Sequence, residues 1–151
     1  MKILMVCLGN ICRSPLAEGI LQSKVKSSHI LVDSAGTAAY HVGQLPDARS
    51  IEVARKHGID ISNQRARKFV VEDFDAFEII FAMDVSNYQT IRALARNAHD
   101  EQKVHLILNA IDFESNHEVP DPYYGDDNGF ETVYSMLEEA CEIIISKIEK
   151  I

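Results

Sequence analysis

The sequence predicts a single α/β domain: a four-stranded parallel sheet with helices on both faces. Three observations lead there. Short apolar runs of strand length alternate with stretches of helical periodicity along the whole chain, the pattern of repeated strand–helix–strand units. The first run, Ile3–Val6, is apolar without alternation, as a strand covered on both faces should be. The chain has 151 residues, 46% of them apolar and 25% charged, enough for one full core spanning residues 1–151 and too little for two.

After the first strand, Pro15 to about Ser27 reads as a helix. Leu16, Ile20, Leu21 and Val25 fall on one side, and Pro15 sits in the first turn, where its missing N–H costs nothing. Ile30–Val32 is a second strand that runs into Asp33-Ser34-Ala35-Gly36. Asp47 to His57 is helical and Gly58 stops it. Glu78–Met83 is a third strand, followed by a helix from Ser86 to about Asn97. Val104–Leu108 is a fourth strand. A long polar segment, Asn109–Asn128, leads to the last helix, from about Phe130 to Ile148, with Val133, Leu137, Cys141, Ile144, Ile145 and Ile148 as its buried stripe. Sheets of this kind bind ligands outside the carboxyl ends of the strands, where strand order reverses. The segment after the first strand is therefore the first candidate site. The long polar loop is the second, because long loops in compact domains often carry function.

Composition excludes several classes. Fifteen Lys and Arg against 23 Asp and Glu give a formal net charge of −8, the wrong sign for a nucleic-acid or anionic-membrane partner. No apolar run approaches the ~18 residues of a membrane span. The apolar start resembles a signal peptide only superficially: it is short, ends at Gly9-Asn10 and Arg13, and lacks a small-residue cleavage pattern. Three cysteines, Cys7, Cys12 and Cys141, do not make a secreted disulfide framework and point to a reducing cytoplasm. The six histidines lack metal-ligand spacing, and no metal or other cofactor is expected.

Cys7-Leu8-Gly9-Asn10-Ile11-Cys12-Arg13-Ser14-Pro15 connects the first strand to the first helix. Cysteine, five residues, arginine, then serine is what phosphoryl transfer to a thiolate needs. A loop of that length can curl its N–H groups around one anion, and the helix start adds its positive dipole end. Arg13 offers a planar fork for two phosphate oxygens. Cys7 at the floor of such a loop is a nucleophile activated by the same positive groups. Ser14 can donate a hydrogen bond to the sulfur. Gly9 permits close backbone approach, and Asn10 tolerates a left-handed conformation. No Gly-Lys-Ser/Thr follows, so this is not a Walker-type nucleotide loop.

On these residues the chain resembles the low-molecular-weight protein tyrosine phosphatases. The supporting stretches are Val6–Pro15, Asp33-Ser34-Ala35-Gly36, Ala82-Met83-Asp84-Val85-Ser86-Asn87, Asp121-Pro122-Tyr123-Tyr124-Gly125 and Phe130-Glu131-Thr132-Val133-Tyr134. The resemblance implies that the loop binds phosphate, that Cys7 is the nucleophile and that Arg13 is the phosphate clamp. It implies further that Asn10, Ser14 and Ser34 shape the loop and tune the thiol. The family often has a histidine in that network, where this chain has Gln64. Phosphotyrosine proteins are the implied substrates, with inorganic phosphate as product and competitive ligand.

A phenolate leaves poorly at neutral pH and needs a proton. Asp121, stiffened by Pro122 in the long loop, reads as that general acid, and as a turn-forming Asp-Pro if the resemblance is set aside. A slot for the aryl ring wants apolar and aromatic walls; the resemblance implies that Tyr123, Tyr40, Leu8 and Ile11 line it, and Tyr124 stands beside the acid in the sequence. Asp126 and Asp127 read as solvated or weak partners. Cys12 shares the loop with Cys7 and could trap an oxidised sulfur as a disulfide, a pairing the family is known for; its plain reading is a packing cysteine. Cys141 reads as core and His57 as a helix-end partner. Arg65, Arg67 and Lys68, like Glu138, Glu139, Glu142 and Glu149, read as wet surface. Two other activities remain in view. A protein arginine phosphatase tends to have Thr where this chain has Ile11 and lacks the paired tyrosines. An arsenate reductase needs resolving cysteines that are absent between Asp73 and Asp100.

Overall fold

The computed structural model describes residues 1–123, 125 and 127–149, with Asp127 through its backbone only. β1 (Lys2–Cys7) is followed by α1 (Arg13–Lys24), β2 (Leu31–Gly36), α2 (Ala48–Lys56), α3 (Asp73–Ala76), β3 (Ile79–Ala82), α4 (Val85–Ala93), α5 (Ala98–Gln102), β4 (Val104–Leu106), a 3-10 turn (Ile107–Ala110) and α6 (Asp127–Ile148). The four strands are parallel, as expected, and stand in the order β2-β1-β3-β4. The chain first crosses to one side of β1 and then to the other, so the order reverses at β1, and its carboxyl end at Cys7 opens into the crevice where such sheets bind ligands.

Alternation along β1 splits the core into two layers. Ile3, Met5 and Cys7 face Leu16, Ile20, Leu137, Cys141 and Ile144 of α1 and α6. Leu4 and Val6 face the opposite side, with Phe74, Phe77, Ile80 and Ile91. Ile3, Leu4, Met5 and Val6 are all fully buried, which explains the unbroken apolar run. Cys141 is fully buried on α6, the core position expected of it.

Several boundaries differ from the sequence reading. α1 begins at Arg13, so the last residues of the anion loop are the first helical turn. β2 continues through Ser34 to Gly36, pairing Met5 with Ser34 and Cys7 with Gly36. The apolar run after Val104 leaves the sheet at Leu106, and Ile107 and Leu108 are buried in the 3-10 turn instead. α3 and α5, of four and five residues, are too short to show a period. Among the described residues no helix is long and apolar enough to cross a membrane.

Candidate active site

The loop from Cys7 to Arg13 is pinned at both ends. At its start, Thr37 N–H donates to the Cys7 carbonyl and Ala38 N–H to that of Leu8, both at 2.9 Å, so the backbone after β2 prolongs the sheet pairing. At its end, Asp47 N–H donates to Ile11 O at 2.8 Å and Ser50 Oγ to Cys12 O at 3.2 Å, tying it to α2. Between these ties Asn10 adopts φ 58°, the left-handed conformation expected of it. Among the described residues no protein acceptor meets the N–H groups of Gly9, Asn10, Ile11 or Cys12, although Asn10, Ile11 and Cys12 are buried. Buried donors left open in one curled segment form an anion nest.

Two glycines allow this curl. A Cβ on Gly36 would lie 2.7 Å from the Leu8 carbonyl oxygen and 3.1 Å from Asn10 N. A Cβ on Gly9 would lie 3.0 Å from Cδ2 of His41, so that residue makes room for a side chain rather than for backbone.

Polar side chains connect the loop to the sheet. Cys7 Sγ lies 3.0 Å from Ser14 Oγ. Asn10 Nδ2 donates to Ser14 Oγ at 2.8 Å and to Ser34 Oγ at 3.0 Å, while Asn10 Oδ1 accepts from Arg67 N–H at 3.0 Å. With its oxygen occupied by the Asn10 amide, Ser14 has one proton to place, with Cys7 Sγ at 3.0 Å and the Ala35 carbonyl at 3.5 Å within reach. Ser34 Oγ in turn donates to Glu18 Oε1 at 2.7 Å. Gln64 does not join this chain; its Nε2 donates to Pro15 O at 3.1 Å.

Arg13 is 2% exposed and is held by groups far away in sequence. Its Nη1 donates to Asp84 Oδ2 at 2.7 Å and to the Val119 carbonyl at 3.0 Å, and Nη2 lies 3.7 Å from Asp121 Oδ2. Burial works against its charge, but Cys7, Asp84 and Asp121 together hold its pKa above the ordinary value. Asp84 also caps α4, accepting the Asn87 N–H at 2.8 Å.

The acid loop is fixed from both sides. Val119 N–H donates to Met83 O at 2.9 Å, and Glu118 accepts the Val85 N–H at 2.8 Å. Beyond Asp121, Arg49 donates to the Tyr123 carbonyl at 3.0 Å and lies 4.6 Å from the Phe130 ring centre. Asp121 Oδ1 accepts the Tyr123 N–H at 3.1 Å, a local turn that leaves Oδ2 toward Arg13. Cys7, Arg13 and Asp121 line one cavity of about 110 Å³ with Leu8, Gly9, Ile11, Cys12, Tyr40, His41 and Tyr123.

Residues 2–151 match the profile of the low molecular weight phosphotyrosine protein phosphatases. The human low molecular weight phosphotyrosine protein phosphatase is 37% identical over 150 residues, covering 97% of this chain and 94% of that one. A crystal structure of a protein tyrosine phosphatase from Entamoeba histolytica superposes with a TM-score of 0.91 at 40% identity, covering 99% and 97% of the two chains. This chain belongs to the low molecular weight phosphotyrosine protein phosphatase family. A crystal structure titled as a Drosophila arginine phosphatase also superposes at 0.91, with 33% identity over 99% of both chains.

The phosphatase fold gathers most of the residues singled out from sequence. Leu8, Ile11, Tyr40 and Tyr123 do share the cavity with Cys7, as expected of the aryl slot. Ser34 reaches the loop through Asn10. Tyr124 and Asp126 lie outside the described residues. Cys12 is a free, buried thiol whose pKa burial and the Asp47 charge push up to about 12. Arg67 is no solvated face: it pairs with Asp73 at 3.1 Å and Asp33 at 3.3 Å. Glu138 and Glu142 pair with Lys24, and Glu149 accepts the Lys26 N–H at 2.8 Å. His57 ends α2 and stacks on Tyr134 at 3.9 Å.

Four contributors were not visible in sequence as site residues: Asp84, Val119, Glu18 and His41. His41 borders the cavity between Tyr40 and Tyr123, its ring centre 6.4 and 6.3 Å from theirs, with Nδ1 3.1 Å from Gln44 Oε1.

Proposed function

We propose that Cys7 is the nucleophile, Arg13 the phosphate clamp and Asp121 the general acid and base of this phosphatase. The open amides of residues 9–12 and the Arg13 fork hold the three non-bridging phosphate oxygens, placing phosphorus above the sulfur. The sulfur forms a bond to phosphorus as the bond to the phenolic oxygen breaks. Asp121 gives its proton to that oxygen, so a phenol leaves rather than a phenolate. In the second half Asp121 takes a proton from water, water oxygen attacks phosphorus, and the thiolate departs. Ser14 stabilises the departing sulfur anion by its hydrogen bond. Inorganic phosphate is the product and, by the same contacts, a competitive ligand.

One observation supports this reading above the others: a thiol and a guanidinium from one loop and a carboxyl from a distant one line a single small cavity with an aromatic rim. Leu8, Ile11, Tyr40 and Tyr123 would flank the aryl ring of a phosphotyrosine. We further infer that residues 1–151 work as one domain in a reducing compartment such as the cytoplasm, a reading supported by three free thiols.

The test compares turnover of phosphotyrosine, phosphoserine and phosphoarginine peptides and analyses acid-quenched reactions by mass spectrometry. Phosphotyrosine turnover with a phosphorylated Cys7 is expected. Preferred hydrolysis of phosphoarginine overturns the substrate assignment, and turnover by Cys7→Ser within tenfold of the parent overturns the nucleophile.

A further inference from the structure

We propose that Glu18 is a positioning residue for the Cys7 thiolate, and that its ionised form orders the chain of hydrogen bonds running through Ser34, Asn10 and Ser14 to the sulfur. The proposal rests on Cys7 being the nucleophile.

The order follows from counting protons. Asn10 spends its oxygen on the Arg67 N–H and its two amide hydrogens on Ser14 and Ser34. Each serine accepts one of those hydrogens and has one proton of its own to place. Ser34 gives its proton to Glu18 at 2.7 Å; toward a Cys7 thiolate Ser14 is the donor, at 3.0 Å, with the Ala35 carbonyl at 3.5 Å as the longer alternative for its proton. The Ser34 proton is fixed in this direction only while Glu18 is a pure acceptor, which a carboxylate is and a carboxylic acid is not. A protonated Glu18 competes with Asn10 as a donor to Ser34, and the constraint on Asn10, and hence on Ser14, loosens. A charged acceptor also makes a hydrogen bond roughly twice as strong as a neutral one.

The surroundings allow Glu18 to change state. It lines a cavity of about 260 Å³ with Asp33, Asn63, Gln64 and Arg65. Asp33 on β2 opposes its charge, and Arg67 favours it. Arg67 is shared with Asp73 and Asp33, and Arg65 is turned to the carbonyls of Ser62 and Gln64. Burial, offset in part by the Ser34 hydrogen bond, pushes the carboxyl up to about 7. Gln64 lines the same cavity, and its Oε1 is buried without a donor among the described residues.

The test follows alkylation of Cys7 by the neutral reagent iodoacetamide from pH 5 to 9, with the modified residue identified by peptide mass. In the parent enzyme the rate shows the ionisation of Cys7 and a second one near pH 7, with a rise of roughly three- to tenfold, the size of one net hydrogen bond. Glu18→Gln does not titrate and, like the carboxylic acid, is neutral and carries a donor beside its acceptor, so the second ionisation disappears and the rate stays near the parent's lower level. Glu18→Ala lowers the rate at every pH. Coincident pH profiles for the parent and Glu18→Gln overturn the proposal. So does a second ionisation of opposite sign, which is what the Glu18 charge acting on the thiolate through space would give. Absence of alkylation at Cys7 overturns the nucleophile assignment itself, and the proposal with it.

Discussion

The Arg13 guanidinium is anchored by Asp84, 2.7 Å away, and Asp84 is at the same time the N-cap of α4. One carboxylate thus couples the phosphate loop after β1 to the helix after β3, the two neighbours at the reversal of strand order. Asp84→Asn preserves the cap, because asparagine caps as well as aspartate, but removes the charge facing a buried guanidinium. Inorganic phosphate should inhibit this variant about tenfold less well, and it should lose about 1–3 kcal/mol of stability, the value of a hydrogen bond to a charged group. Inhibition constants and denaturant unfolding check both.

Asp121→Asn separates proton transfer from binding. A general acid contributes about a hundredfold or more when the leaving group is basic. Hydrolysis of phenyl phosphate should therefore fall far more than that of a substrate with a strongly acidic phenol. Equal losses in kcat for the two would remove Asp121 from the acid role.

Oxidation should distinguish the sulfurs. Hydrogen peroxide converts the Cys7 thiolate to a sulfenic acid with release of hydroxide, and the Cys12 thiol can then displace water from it to close a disulfide that a thiol reductant reopens. Because the Cys12 thiol is held up to about 12, closure should accelerate as pH rises. Cys12→Ser should turn reversible inactivation into permanent loss, measured as activity regained after dithiothreitol.

Gly36→Ala places a methyl group 2.7 Å from the Leu8 carbonyl oxygen. Backbone on both sides must move, and overpacking of this kind costs about 1–3 kcal/mol. The variant should unfold at a lower temperature, and its kcat/KM should fall roughly tenfold or more, since a small displacement of reacting groups is costly.

Glu18 also makes stability depend on pH. Its folded pKa, about 7, lies above the ordinary 4.5, so the folded state holds a proton that the unfolded chain releases. This contribution is fully present below pH 4.5 and is lost as pH rises through about 7. The Tm advantage of Glu18→Gln over the parent should accordingly be larger at pH 8 than at pH 5, read from melting curves at both.

What was legible in the sequence is what lies close along the chain. The unbroken run Ile3–Val6 announces a strand covered on both sides, and the spacing of Cys7, Arg13 and Ser14 announces the anion loop. Asp121 stood out only through resemblance, because Asp-Pro alone is an ordinary turn. Asp84, Val119 and Glu18 were hidden because their partners are set by topology. Arg13 and Asp84 are 71 residues apart and meet through the parallel pairing of β1 with β3. Ile107 and Leu108 were misread as strand because burial in a 3-10 turn demands the same apolar side chains. Arg67 passed for surface since a guanidinium spanning Asp33 and Asp73 looks no different in sequence from a solvated one.

Arg67 also bears on how such an enzyme diversifies. Its N–H holds Asn10, and its carbonyl accepts the Gly36 N–H at 2.8 Å, so the loop after Cys7 is braced from beside β2, where Lys68 bridges Gly36. Tyr40 and His41 border the cavity from another segment. Leu8, Ile11 and Tyr123 are tied to the loops that carry Cys7 and Asp121, so it is at Tyr40 and His41 that selection can redraw the entrance without retooling the engine.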